Sequence, residues 1–129
     1  MRQRVQTDLA PAAVGPYSQA IIVENMVYTA GQAAIDPQTR KLVEGGIEIQ
    51  TARVLKNLSA VLEAAGTSMH NVIKSTVYLT NMADFAAMNA VYGEYFNPEM
   101  PPARTTIAAA ALPLGTLVEI ECIALLSDD

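Results

Sequence analysis

The sequence predicts one α+β domain in which two helices cover one face of a mixed six-stranded sheet. Three observations carry this. First, 51% of the 129 residues are apolar and 16% charged, a composition that supports a packed core at single-domain length. Second, apolar residues alternate with polar ones along several short segments and recur at helical spacing along two longer ones. Third, the element order is hairpin, helix, strand, helix, strand, strand, and two helices suffice to cover one side of one sheet.

The elements follow in order. Arg4 to Gln6 reads as a short strand, followed by a loop through Pro11, Gly15 and Pro16 whose backbone is restrained rather than floppy. Ala20 to Val23 and Met26 to Ala30 are strands flanking Glu24-Asn25, a two-residue hairpin turn with Asn tolerating the left-handed conformation. Gly31-Gln32 breaks the strand, and Asp36 to Arg40 is a turn. Gly45-Gly46 precedes a helix over Ile47 to Ala65, with Val54, Leu55, Leu58, Val61, Leu62 and Ala65 on one face and Gly66 closing it. Asn71 to Leu79 is a strand. A second helix runs from Met82 to Phe96, with Asp84 in its first turn, Phe85, Met88, Tyr92, Tyr95 and Phe96 on one face, and Asn97-Pro98 after it. Thr105 to Ala110 and Leu117 to Leu126 complete the sheet. The link from Asn71 to Ala110 is a parallel crossover.

Composition also excludes function classes. The net charge is −5 and the eight Lys and Arg are scattered, which argues against nucleic-acid binding through phosphate contacts. No apolar run reaches the length of a membrane span, and the start, Met1-Arg2-Gln3-Arg4, lacks the apolar stretch of a signal peptide. The lone Cys122 fits a reducing, cytoplasmic setting, and a single histidine, His70, leaves no metal centre of the usual ligands. The uncovered sheet face carries Tyr, Val, Ile and Leu, which points to packing against other subunits.

The chemistry concentrates between Pro101 and Glu121. In the last strand Val118, Ile120, Cys122 and Ala124 suit the helix-covered core, so Glu119 and Glu121 face the other way among apolar neighbours. Such carboxylates are either solvated or salt-bridged on a half-exposed strand, or supply a general base or water-orienting group in a half-buried pocket. Arg104 follows Pro101-Pro102-Ala103, and its planar fork suits a carboxylate, whether of a protein acid or of a ligand. Thr106 alternates with Arg104 and shares its side. Tyr17 can line a pocket or cap the core edge. Gly31 can admit a ligand to the backbone or merely end a strand. Asn89 is an exposed helix residue or a polar intruder.

Together these residues resemble the RidA (YjgF-type) reactive-intermediate deaminase family. The matching pieces are Ala10 to Ala20, Thr29-Ala30-Gly31-Gln32, Asp84-Phe85 with Asn89 and Tyr92, Pro102-Ala103-Arg104-Thr105, and Leu112-Pro113 through Val118-Glu119-Ile120-Glu121. The likeness spans nearly all of residues 1–129. It implies a fold like Bacillus-type chorismate mutase, a homotrimer with clefts between subunits, and cofactor-free hydrolysis of 2-imino acids such as 2-iminobutanoate and 2-iminopropanoate to 2-keto acids and ammonia. It implies that Arg104 grips the substrate carboxylate, Glu119 handles the attacking water, Tyr17, Gly31, Asn89 and Thr106 lie at the substrate, and Glu121 is structural. Thr106 stands where several members carry cysteine, and Ala30 where serine is common. The alternative expectation is a non-catalytic module that binds a keto acid or similar carboxylate. RNA cleavage, also attached to the family, sits poorly with the acidic charge and single histidine.

Overall fold

A computed structural model describes residues 1–127. It contains a six-stranded sheet of order β1-β2-β3-β6-β4-β5. The strands are β1 (Arg2–Val5), β2 (Ala20–Val23), β3 (Met26–Thr29), β4 (Val72–Leu79), β5 (Ala103–Ala108) and β6 (Val118–Leu125). Two helices, α1 (Ile47–Ala65) and α2 (Phe85–Tyr92), join them. All neighbouring strands are antiparallel except β4 and β5, which run parallel as the crossover required.

Helix α1 has the predicted bounds. Gly46 is its N-cap, and Gly66 ends it at φ 96°, donating its N–H to the Glu63 carbonyl. Its Val54, Leu55, Leu58, Val61 and Leu62 are fully buried against Val27, Val77, Leu79, Val118 and Ile120 of the sheet. Each large side chain removed from water in this way contributes about 2 kcal/mol.

The second helix is shorter than predicted. Met82–Asp84 forms a 3₁₀ turn, capped by Asn81 accepting the Ala83 N–H, and the α-helix itself ends at Tyr92. Gly93, a poor helix former, follows Tyr92 as the C-cap, and the chain leaves through a turn. Met88, Tyr92 and Phe96 still reach the core, with Tyr92 and Phe96 stacked at 4.1 Å. Strands β1 and β5 each begin two residues earlier than predicted, at Arg2 rather than Arg4 and at Ala103 rather than Thr105. In the hairpin it is Glu24, not Asn25, that takes the positive φ, 54°. Asn25 instead pairs its amide with the Ser127 backbone and hydroxyl.

The β6 alternation is as predicted: Val118, Ile120, Cys122 and Ala124 are buried and the intervening residues half-buried. The helix-free face carries Tyr28, Val23 and Ile107 exposed, with Ile21, Met26 and Ile123 beside them.

Candidate functional site

Strand pairing decides which side of the sheet each candidate occupies, because directly paired residues share a face. Ser75 of β4 pairs with both Arg104 and Cys122, and Tyr78 pairs with Glu119. Ser75 and Tyr78 are three residues apart, so they point to opposite faces. Arg104 therefore lies on the helix-covered side and Glu119 on the open side. Within one chain the two do not meet.

Glu119 stands at the wall of a cleft of about 670 Å³ bounded by Pro11, Val14, Tyr17, Ala30, Gly31, Ile35, Pro113 and Leu114. A local irregularity puts it there. Tyr28 pairs with Ile123, but the next pairing is Gln32 with Ile120, so the β3 side uses four steps against three on β6. Gln32 and Ile120 exchange backbone hydrogen bonds of 2.9 and 3.2 Å. The Thr29 hydroxyl accepts the Cys122 N–H at 3.0 Å in place of a ladder carbonyl. The extra residue bows the chain and lays Gly31 flat against the Glu119 side chain. A Cβ on Gly31 would fall 3.0 Å from Glu119 Cδ and closer still to Oε2. Only glycine leaves that carboxylate its place.

Glu119 is half-buried, and loss of water raises its pKa above the ordinary value; the nearby Glu121 charge adds to this. Glu121 accepts a 2.9 Å hydrogen bond from the Tyr78 hydroxyl. That bond, followed by desolvation, raises the Tyr78 pKa. The two acids thus differ in circumstance: Glu121 is engaged by a neighbour and Glu119 faces the cleft.

The cleft walls are fastened from below by buried side-chain amides. Gln19 donates to the Thr7 and Pro11 carbonyls and accepts from the Thr7 N–H, fixing the base of the loop that carries Tyr17. Asn57 of α1 donates to the Ala33 and Ile35 carbonyls beyond Gly31, while Arg53 donates to its oxygen. Gln50 accepts the Leu117 N–H at 2.8 Å, just before Glu119's strand. Tyr17 is 52% exposed and its hydroxyl accepts the Val14 N–H at 3.3 Å.

On the other side of the sheet, the Arg104 guanidinium lies over the ring of Tyr92 at 4.7 Å and near Phe85 at 5.4 Å. Its Nη1 donates to Asn89 Oδ1 at 2.6 Å. Asn89, read from sequence as a candidate near the substrate, therefore sits beside Arg104, not in the Glu119 cleft. Tyr92 in turn shares a 2.6 Å hydrogen bond with Ser75. The arginine is held by two rings and an amide, with no acid among the described residues as its partner. Thr106 shares this side, and its hydroxyl is buried without a hydrogen-bond partner. A buried hydroxyl left unpaired costs stability, so its place beside Arg104 is notable.

Sequence reasoning missed Arg40, which lines the Glu119 cleft. It had been absorbed into a turn, and nothing local showed which way that turn faces. Cys122 is buried and its thiol is pushed up to about 12 by burial, which leaves it inert as a nucleophile. Among the described residues, no group of three His, Cys, Asp or Glu could hold a metal ion, and no helix is long and apolar enough to cross a membrane.

The chain is thus a small α+β domain with a half-buried, cleft-lining carboxylate on one sheet face and, on the other, an arginine held by two rings and an amide. The comparisons name its family. Residues 7–126 match the profile of the endoribonuclease L-PSP family. A RutC family protein of Synechocystis is 52% identical over 123 residues, covering 95% of both chains. The mouse protein called 2-iminobutanoate/2-iminopropanoate deaminase is 46% identical over 124 residues, covering 96% of this chain and 91% of its own. The crystal structure of a putative endoribonuclease from Thermotoga maritima superposes with a TM-score of 0.93 at 50% identity, covering 97% of this chain and 98% of the other. The chain belongs to this family, the RidA (YjgF-type) proteins.

Proposed function

We propose that this protein is a cytoplasmic deaminase that hydrolyses 2-imino acids, 2-iminobutanoate and 2-iminopropanoate among them, to 2-keto acids and ammonia. The observation that carries the reading is the half-buried Glu119 carboxylate, held by Gly31 at the wall of a cleft with an apolar lining and with its pKa raised. The mouse relative's name supports the same substrates.

The placement of Arg104 supports a site built from two copies of the chain. The exposed apolar side chains of the helix-free face supply a surface for association, and a homotrimer with three clefts between subunits satisfies both requirements. In each cleft one copy contributes Glu119, Gly31 and Tyr17, and a neighbour contributes Arg104, Asn89 and Thr106. All of residues 1–127 then serve one domain.

The reaction follows from these roles. Arg104 binds the substrate carboxylate through its fork, with Asn89 and the Tyr92 ring holding the guanidinium in plane. The unpaired Thr106 hydroxyl takes a hydrogen bond from or gives one to the substrate. Glu119 accepts a proton from water as its oxygen attacks the imine carbon. The resulting carbinolamine receives that proton on nitrogen; Glu119 then takes the hydroxyl proton as the C–O double bond forms and the C–N bond breaks, releasing ammonia and the 2-keto acid. A protonated imine is already electrophilic, so positioning and one proton-transfer group suffice, each contributing roughly a few powers of ten.

The test is to generate 2-iminobutanoate in situ with a dehydratase and follow its decay. The parent protein should accelerate decay, and Arg104→Ala and Glu119→Gln should each abolish the acceleration. A parent protein without effect on the decay would leave a carboxylate-binding module as the better reading.

A further inference from the structure

Arg40 is the one basic side chain among the residues that line the Glu119 cleft. Its position is built rather than incidental. The Asp36 carboxylate accepts the N–H groups of Gln38 and Thr39 at 2.7 and 3.2 Å. The Arg40 N–H donates to the Asp36 carbonyl at 2.8 Å, and Asp36 N–H donates to Lys41 at 2.9 Å. This closed loop holds Arg40 at φ 63°, a left-handed conformation that a residue with a side chain adopts at a cost. An exposed arginine kept at a strained backbone position, lining a cleft and in no ion pair with an acid among the described residues, is suited to a ligand's acid.

The size of the cleft agrees. About 670 Å³ lies in the range that holds drug-sized ligands, more than a four-carbon imino acid fills. We infer that Arg40 is a second carboxylate-binding residue, and that the cleft is fitted to 2-imino dicarboxylates whose distal acid meets Arg40. This deepens the deaminase reading of the same site: the acid next to the imine carbon goes to Arg104 of a neighbouring copy, and the chain beyond that carbon extends past Glu119 toward Arg40. Guanidinium forks at both ends read the substrate's length as well as its charge.

The experiment measures binding of two stable keto acids, 2-oxoglutarate and 2-oxobutanoate, to the full-length protein by isothermal titration, alongside hydrolysis of 2-iminobutanoate. The parent should bind 2-oxoglutarate about tenfold tighter or more. Arg40→Gln should reduce the preference to within about twofold, and Arg40→Lys should keep part of it, since it retains charge without the fork. Arg40→Gly provides the control for folding, because glycine adopts φ 63° without strain; it should fold as well as the parent and still lose the preference. Equal binding of the two acids by the parent, or a preference that survives Arg40→Gln, overturns the inference. If the parent hydrolyses 2-iminobutanoate yet shows no preference, this inference alone falls. If an Arg40-dependent preference is found without imine hydrolysis, the deaminase reading falls and the dicarboxylate site stands.

Discussion

Replacing Gly31 by alanine perturbs the proposed water-handling group by a single methyl group. The added Cβ would lie 3.0 Å from Glu119 Cδ and 3.1 Å from Cγ, with Oε2 nearer still. Carbon atoms pack at about 3.5–4.0 Å, so the carboxylate must swing aside by roughly 1 Å. Gly31 does not have a positive φ, so alanine brings no backbone strain there. It gains roughly 0.4–1 kcal/mol through the unfolded state, against an overpacking cost of about 1–3 kcal/mol. The displaced atoms belong to the end of a flexible side chain, so the cost sits at the low end and net destabilisation should stay below about 2 kcal/mol. Catalysis should suffer far more, since a misplacement of about 1 Å at a reacting group costs roughly a hundredfold. Thermal unfolding and dehydratase-coupled decay of 2-iminobutanoate, measured on the same preparation, separate the two effects. A folded Gly31→Ala protein with parental activity would refute the placement of Glu119 at the chemistry.

Four further outcomes follow from the geometry. Glu119 must be ionised to accept a proton, and its raised pKa places the acid limb of the kcat/KM profile above the ordinary carboxylate range; Glu121→Gln should move that limb to lower pH by removing the second cause of the shift. Because folding favours the protonated form of Glu119, stability should fall as pH rises from its unfolded value through its folded one, so Glu119→Gln should raise the melting temperature at neutral pH. Asn57→Ala strips the Ala33 and Ile35 carbonyls of a fully buried donor and should cost about 3–5 kcal/mol by denaturant unfolding. Arg104→Lys keeps the charge but loses the planar stacking on Tyr92 and the bidentate fork, and should weaken kcat/KM by about tenfold or more.

What the sequence revealed of this fold was what short-range patterns encode. The alternation in Val118 to Leu125 correctly turned Glu119 and Glu121 away from the core, and the spacing of Val54 to Ala65 defined the buried face of α1. The prolines before Arg104 marked a strand start without saying which face the arginine would take, because that depends on pairing Ser75 with Arg104 across strands distant in sequence. The end of α2 was missed because Tyr95 and Phe96 continue the apolar spacing beyond Gly93, and Phe96 is buried from a turn rather than a helix. The bulge that lays Gly31 on Glu119 has no local signature: it arises from four residues opposing three on a strand nearly ninety positions away. Arg40 was overlooked for the same reason, since its turn, closed by the Ile35–Leu42 bridge, is anchored to α1 by Asn57 donating to the Ile35 carbonyl.

The central claim is that Arg104 and Glu119, on opposite faces of one sheet, meet only between copies. Subunit complementation tests it. Arg104→Ala and Glu119→Gln should each be inactive alone. When they are unfolded together and reassembled in equal amounts, random association gives about one site in four an intact arginine from one copy and an intact glutamate from its neighbour. The account predicts recovery of about a quarter of parental imine hydrolysis. Mixed assemblies, verified by mass spectrometry, that remain inactive would contradict it.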